Sequence, residues 1–294
     1  METNQARILR GVAGVYLLSN PRTGFRGQAV ARGLFRKTAT KPLPGDLVRY
    51  TSSADPDIPW LITEILPRRN ELRRPPLANL DQLMLVSSAV LPRVDYHYLD
   101  RMICYAVNNN VRPLLVLTKC DLPQADQARA EFSAYFAASG FSLYFTGLED
   151  PASLDQFADV LADQFTALAG QSGVGKSTLM NRLLGDQILE TGALSDKAGR
   201  GRQTTRSVEI YALGPAFLAD TPGFQSIDIQ NMDLEPRDLL AAYPELQAIA
   251  PYCRFADCKH LGDLGCARDQ AKISPDRLAT YISLRQALEE QKLY

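Results

Sequence analysis

The sequence predicts an α/β protein with a small all-β module before it and a metal-ligated module after it. Three observations carry that prediction. From Leu83 onward, apolar strand-like runs alternate with stretches of helical periodicity, the pattern of a parallel sheet with helices on both faces. Residues 1–66 instead hold short candidate strands separated by turn signals, the spacing of a small barrel. Near the C-terminus, three of the five cysteines and one of the two histidines fall within 14 residues.

In the first module the candidate strands lie around Gly11–Leu18, Gln28–Phe35, Asp46–Tyr50 and Trp60–Leu66. Breakers intervene at Asn20-Pro21, Pro42 to Gly45 and Ser52 to Pro59. Basic residues along these strands fit an oligonucleotide-binding barrel. Residues 1–80 hold 13 Lys/Arg against 6 Asp/Glu, so this part is +7 and the remainder −8, an asymmetry concealed by the net charge of −1. Such a basic module points to an anionic partner, nucleic acid before membrane; a basic face that only keeps the chain soluble is the plainer alternative. Pro67 to Pro76, with Arg68, Arg69, Arg73 and Arg74, reads as a basic linker.

The alternating part follows. Leu83–Ser88, Leu114–Thr118, Phe141–Phe145 and Phe165–Ala169 are candidate strands, with helical spacing over Leu99–Val107, Ala125–Ala138 and Leu154–Gln164. Two more strands, Val208–Leu213 and Ala216–Ala219, come after a Gly/Arg/Thr-rich loop, and an amphipathic helix from Pro275 to about Leu293 ends the chain. With 294 residues there is room for two or three domains and a sizeable core. No apolar run approaches the roughly 18 residues of a membrane span, and METNQARILRG lacks the apolar region of a signal peptide, so a cytoplasmic protein with no membrane partner is expected.

The stretch FTALAGQSGVGKSTLMNRLL, Phe165 to Leu184, reads as strand, glycine-rich loop and helix start, and fits GxxxxGK[ST]. Its glycines let backbone N–H groups turn inward around phosphate oxygens at a helix N-terminus. Gly170, Gln171, Ser172, Gly173, Val174, Gly175, Lys176, Ser177 and Thr178 are therefore candidate nucleotide-binding residues, with Lys176 reaching the β- and γ-phosphates and Ser177 on Mg²⁺. Thr118-Lys119-Cys120-Asp121 closes a buried strand and fits [N/T]KxD. A carboxylate at Asp121 can accept from the N1–H and exocyclic amine of guanine, whereas adenine offers neither donor, so the base is assigned as guanine. Lys119 can lay its methylene stem on the base.

Asp220-Thr221-Pro222-Gly223 also follows a strand, with Asp220 as a Mg²⁺ residue and the Gly223 N–H for the γ-phosphate. In the loop Gly199 to Arg206, either Thr204 or Thr205 could complete the Mg²⁺ shell. These are the parts of a GTPase in the wrong order: the guanine motif precedes the phosphate loop by about fifty residues, which marks a circular permutation, tolerated because domain termini often lie close together. Phe224 stands where Ras-like proteins carry a water-orienting glutamine. Intrinsic hydrolysis should be slow, with the missing group Gln203, Gln225 or one supplied by a partner. Lys176, Gln203, Thr204 and Thr205 are the candidate catalytic residues.

Cys253, Cys258, His260 and Cys266 make a Cys₃His set with no open position, the pattern of a structural zinc. Cys104 and Cys120 stand in apolar settings and pack as small hydrophobes, and His97 reads as structural.

With these motifs in order, the chain resembles the RsgA (YjeQ/YloQ) family of ribosome small-subunit-dependent GTPases. The resemblance rests on RGQAVARGLFRK, PGDLVRY, RRNELRRPPLANLDQ, TKCDL, GQSGVGKSTLMN, GRQTT, DTPGF and the Cys/His cluster, and covers essentially residues 10–290. It implies an OB-fold RNA-binding domain (1–72), a circularly permuted GTPase domain (73–232) and a small, mainly helical zinc-binding domain (233–294). It also implies GTP/GDP with Mg²⁺, one structural Zn²⁺, and the small ribosomal subunit and its rRNA as partners of a monomer. The expected activity is ribosome-stimulated GTP hydrolysis in late maturation of that subunit. Two positions depart from the pattern: Gln203 replaces the family's usual histidine in GRHTT, and Thr118 replaces the usual asparagine of the guanine motif. Two other readings stay open here, a nucleotide-switched RNA-binding assembly factor with negligible turnover and a permuted GTPase acting on the large subunit.

Overall fold

The computed structural model describes residues 4–31, 41–53, 57–147, 150–185, 208–221, 224, 232 and 234–291. Arg32, Arg36, Lys37, Gln203, Thr204, Thr205, Gly223 and Gln225 lie outside these residues.

Five strands close into a barrel in the order β1-β2-β3-β5-β4: β1 (Asn4–Val12), β2 (Val15–Asn20), β3 (Phe25–Ala31), β4 (Leu47–Ser52) and β5 (Trp60–Ile65). β1 pairs with β4 to complete the circle, and β3 runs parallel to β5, an OB-like topology. The stretch read from sequence as one strand over Gly11–Leu18 is a hairpin. Val12 pairs with Val15 across Ala13 and Gly14, whose φ values of 51° and 85° are those of a two-residue primed turn. Alternation puts Ala6, Ile8, Leu18, Ala29, Val48, Tyr50 and Ile62 inside the barrel.

The supposed linker is partly ordered as an antiparallel pair, β6 (Glu71–Arg73) with β7 (Pro76–Ala78). Arg68 holds the fully buried Asp46 bidentately, Nε to Oδ1 at 2.7 Å and Nη2 to Oδ2 at 2.8 Å, so it acts as a structural tie.

Six further strands form one sheet in the order β10-β9-β8-β11-β13-β12. They are β8 (Gln82–Ser88), β9 (Arg112–Thr118), β10 (Leu143–Phe145), β11 (Phe165–Ala169), β12 (Glu209–Leu213) and β13 (Ala216–Asp220). β10 is parallel to β9 and β11 to β13, while β12 is antiparallel to β13, so the sheet is not wholly parallel. Every residue of β8 and β11 is buried. That explains why they read as unbroken apolar runs, not as alternating ones. Helices α1 (Tyr96–Asn108), α2 (Ala125–Tyr135), α3 (Gln156–Leu161) and α4 (Lys176–Leu184) fall between strands, and α5 (Pro275–Gln291) lies near the C-terminus.

The chain divides into two compact units. One comprises Met1–Leu83, Gln156–Ala169 and Lys176–Gln225. Within it Arg7 points out of the barrel and is buried over the rings of Phe165 and Phe217, 4.7 and 5.0 Å from their centroids. Its Nη1 donates to the Gly45 carbonyl at 2.9 Å. Gly45 has φ +90°, and a Cβ there would sit 2.1 Å from the Ala78 carbonyl oxygen, so only glycine permits this approach.

The other unit comprises Met84–Asp155, Gly170–Gly175 and Ser226–Tyr294. Its centre is a buried polar knot. Arg277 of α5 contacts Asp100 of α1 through Nη1, donates from Nε to Glu245 at 2.8 Å and from Nη2 to the Ala242 carbonyl at 2.8 Å. Tyr135 and Tyr243 donate their hydroxyls to Asp100 at 2.8 and 2.9 Å. Burial pushes the Asp100 carboxyl up to about 6, against the pull of Arg277 and the two hydroxyls. Along α5, Arg277, Tyr281, Leu284 and Leu288 make one buried face at helical spacing.

Candidate nucleotide site and metal cluster

The loop after β11 departs from extended structure because glycine allows it. Gly170, Gly173 and Gly175 have φ values of 153°, 80° and 96°. A Cβ on Gly170 would lie 2.2 Å from the Val86 carbonyl oxygen, so the chain passes too close to β8 for any side chain. Buried Val174 anchors the loop, and α4 begins at Lys176 with Leu179, Met180 and Leu184 turned inward. Ser177 and Thr178 are exposed in the first turn, where backbone N–H groups have no helical acceptor and the dipole favours an anion. Lys176 is half-buried; burial lowers its pKa and the charge of Asp220 opposes that.

The TKCD segment closes β9 and leans on the same loop. The Thr118 hydroxyl lies within hydrogen-bonding reach of the Ser87 carbonyl at 2.9 Å and of the Val174 carbonyl. Lys119, with φ 59°, turns its ammonium to donate to the Gly173 carbonyl at 2.8 Å and to that of Leu91. This leaves the exposed Asp121 at the loop surface. The structure thus brings Thr118 and Lys119 to Val174 and Gly173, 56 and 54 residues further on.

A neighbour of this site was missed by sequence reading. The Cys120 N–H donates to the Thr146 carbonyl at 3.1 Å, and a Cβ on Gly147 would be 2.5 Å from Cγ of Asp121. The Thr146 hydroxyl in turn meets that of Ser153 at 2.9 Å. The available signal was a Thr-Gly pair ending a short strand. Because β10 is parallel to β9, with Phe145 paired to Leu117, that strand end must emerge next to Asp121. Gln171 donates to Asp95 at 3.1 Å, and Asp95 also caps α1 at the Tyr98 N–H.

Asp220 ends β13 in register with Leu168, and the Thr221 hydroxyl donates to the Leu168 carbonyl at 3.0 Å. Asp220 is exposed beside Lys176, whereas Phe224 is fully buried and serves as core.

In the C-terminal module the ligand atoms of Cys253, Cys258, His260 and Cys266 all lie within 4.8 Å of one another. The His260 Nδ1 is 3.6 Å from the Cys253 sulfur and 3.9 Å from the Cys266 sulfur. A tetrahedral ion with bonds of about 2.0 Å to nitrogen and 2.3 Å to sulfur has ligand–ligand edges of about 3.5–3.8 Å, close to the two His260–cysteine distances. The Ala267 N–H donates to the Cys253 sulfur at 3.3 Å, an outer-shell bond of the kind that supports a thiolate. Burial, then Arg285, lowers the pKa of His260, which keeps its ring neutral and able to ligate. The cluster can hold one metal ion. Of the remaining cysteines, Cys104 is buried and its thiol is pushed up to about 12 by that burial, as expected of a packed hydrophobe.

Residues 65–230 match the protein family described as RsgA GTPase. The small ribosomal subunit biogenesis GTPase RsgA of Bacillus cereus is 36% identical, over 98% of this chain and 98% of its own length. Its counterpart in Ruminiclostridium cellulolyticum is also 36% identical, over 98% and 94%. Among solved structures, YloQ, described as a circularly permuted GTPase, aligns with a TM-score of 0.80 at 29% identity, covering 99% of this chain and 96% of its own. YjeQ from Thermotoga maritima aligns with a TM-score of 0.80 at 25% identity, covering 97% and 98%. The permuted motif order and these full-length likenesses lead to one conclusion: the chain belongs to the RsgA GTPase family and is a circularly permuted GTP hydrolase.

Proposed function

We propose that this GTPase binds the small ribosomal subunit, assists its late maturation and hydrolyses GTP under stimulation by that subunit to time its own release. The observation that carries the reading is similarity along nearly the whole chain, barrel and metal module included, to relatives named for small-subunit biogenesis.

In this reading Asp121 accepts from guanine, with Thr118, Lys119 and Cys120 shaping its loop. Gly170, Gln171, Ser172, Gly173, Val174 and Gly175 cradle phosphate, and Lys176, Ser177 and Thr178 meet it at the start of α4. The Lys119–Gly173 bond supports a common site, since it ties base recognition to the phosphate loop. The Ser177 hydroxyl and the Asp220 carboxylate are hard oxygen donors that suit Mg²⁺, which when bound with GTP neutralises phosphate charge. Gly223 contributes its N–H to the γ-phosphate, and Thr204 or Thr205 completes the cation's shell. Lys176 stabilises charge on the transferring phosphoryl group. The buried Phe224 ring cannot orient water, so the group that does is Gln203, Gln225 or one from the ribosome. The Cys₃His set holds one structural Zn²⁺ and folds its module around it. A cytoplasmic monomer fits this role; among the described residues no helix is long and apolar enough to cross a membrane.

Phosphate release from GTP, measured alone and with purified small or large subunits, tests the reading. Slow release alone and a rise of about 10³-fold or more with small subunits only is expected, on the order of what supplied catalytic groups contribute. No rise with small subunits sinks it, and a rise with large subunits only moves the partner.

A further inference from the structure

Among the described residues six large apolar side chains are exposed, and three of them belong to or border the metal-cluster loop: Tyr252 at 71%, Phe255 at 50% and Leu264 at 84%. Side chains of this size grouped at one place on a surface mark an interaction site. The loop is built to hold them there. The Arg254 N–H donates to the Gly265 carbonyl at 2.9 Å, and Gly265, at φ +85°, lets the two chain segments close up where a Cβ would come within 2.7 Å of Arg254. That pairing brings the backbone between Tyr252 and Phe255 against the residue that follows Leu264. The Arg254 guanidinium lies 5.5 Å from the centroid of the Phe255 ring.

The charge around these rings identifies what they would take. Residues 253–272 carry Arg254, Lys259, Arg268 and Lys272 against Asp257, Asp263 and Asp269. Lys259 is bonded to Glu289 at 3.1 Å and Arg268 lies 3.7 Å from Asp269. This nearly neutral loop is poorly suited to tracking a duplex phosphate backbone, which needs a run of uncompensated cations. Exposed aromatic faces with one guanidinium beside them suit unpaired bases, which stack on rings whatever their sequence while the cation meets a single phosphate.

We propose that Tyr252, Phe255 and Leu264, with Arg254, form a stacking platform for unpaired nucleotides of RNA. The proposal rests on the reading that this chain works on ribosomal RNA, and it assigns the metal module a preference for single-stranded over duplex segments.

The test uses the full-length protein, a fluorescent twelve-nucleotide oligouridylate and a twelve-base-pair RNA duplex. Replacing both rings (Tyr252→Ala with Phe255→Ala) should weaken oligouridylate binding at least about tenfold and leave duplex binding unchanged. Metal content and thermal unfolding should match the parent, since both side chains are exposed. The ring-retaining pair Tyr252→Phe with Phe255→Tyr should bind like the parent. The salt dependence should persist in the alanine pair, because stacking releases no counterions, but fall by about 0.7 in slope for Arg254→Ala. Parental oligouridylate affinity in the alanine pair overturns the proposal. So does a loss of small-subunit binding with oligouridylate binding intact, which would mark a protein-facing patch. Ring-dependent oligouridylate binding without any stimulation of phosphate release by small subunits would uphold the platform and overturn the ribosomal reading instead.

Discussion

On the proposed reading, a single carboxylate at Asp121 selects the base. Two hydrogen bonds to a charged acceptor are worth about 3–6 kcal/mol, so Asp121→Asn should weaken GTP binding on the order of 10²–10⁴-fold. It should also gain xanthosine triphosphate, whose carbonyl matches the new amide donor; a fluorescent-analogue titration with both nucleotides measures this, and unchanged GTP affinity would remove Asp121 from base recognition. Arg277 decides stability instead. Replacing it with methionine leaves Asp100 and Glu245 buried without their cation and should cost about 3–5 kcal/mol in urea unfolding. Asp100 also sets a pH dependence. Its carboxyl titrates near about 6 in the folded chain against an ordinary 3.8, so the folded state binds the proton more readily. Stability from this group is greatest below about 4, is lost as pH rises from 4 to 6, and stays lost above. Asp100→Asn should flatten the stability curve across that window; a slope equal to the parent's would locate the titration elsewhere. The motif spacing made Asp121 legible in the sequence. Asp100 was not, because one acid within a helical apolar run looks the same whether it faces water or an arginine.

Among the elements, the loop from Cys253 to Cys266 has little apolar burial of its own, since its middle is largely exposed, so an ion on the four donors is expected to hold it. Elemental analysis should find one zinc per chain. Cys258→Ser, or a strong chelator, should remove it and abolish amide-exchange protection over 253–266, because in such small modules metal binding supplies the folding free energy. Protection that survives metal loss would make the ion incidental. The four ligands were readable as a set because donor type and spacing carry the chemistry. The strands of the barrel were read less well. A single Gly11–Leu18 strand became two, because Ala13 is not a residue that announces a left-handed turn. The basic linker became β6 and β7, with Leu72 paired to Leu77 and both buried, and its Arg68 meets an acid 22 residues away.

For the whole molecule the charge asymmetry is the feature to test. Arg7 is buried, and Arg22 and Arg69 sit within 3 Å of Asp163 and Asp81, acids outside residues 1–80, so part of the +7 of residues 1–80 is already matched within the chain. If the barrel meets RNA, replacing Arg32, Arg36 and Lys37 with alanine should lower the slope of log affinity against log salt by up to about 0.7 per residue; an unchanged slope would exclude these residues from the contact. The sequence by itself carried the patterns that mark the family: the GxxxxGK[ST] stretch, the TKxD tetrapeptide, their permuted order and the Cys₃His set. Each is a short pattern whose residue types are required by the ligand and need no distant partner to be recognised. Tertiary structure decided the rest: Lys119 on the Gly173 carbonyl, Gly147 against Asp121, Arg7 between two rings, and Arg277 on an acid 177 residues away. These depend on which strand ends and helix faces the fold places side by side, and no local pattern of residues specifies that.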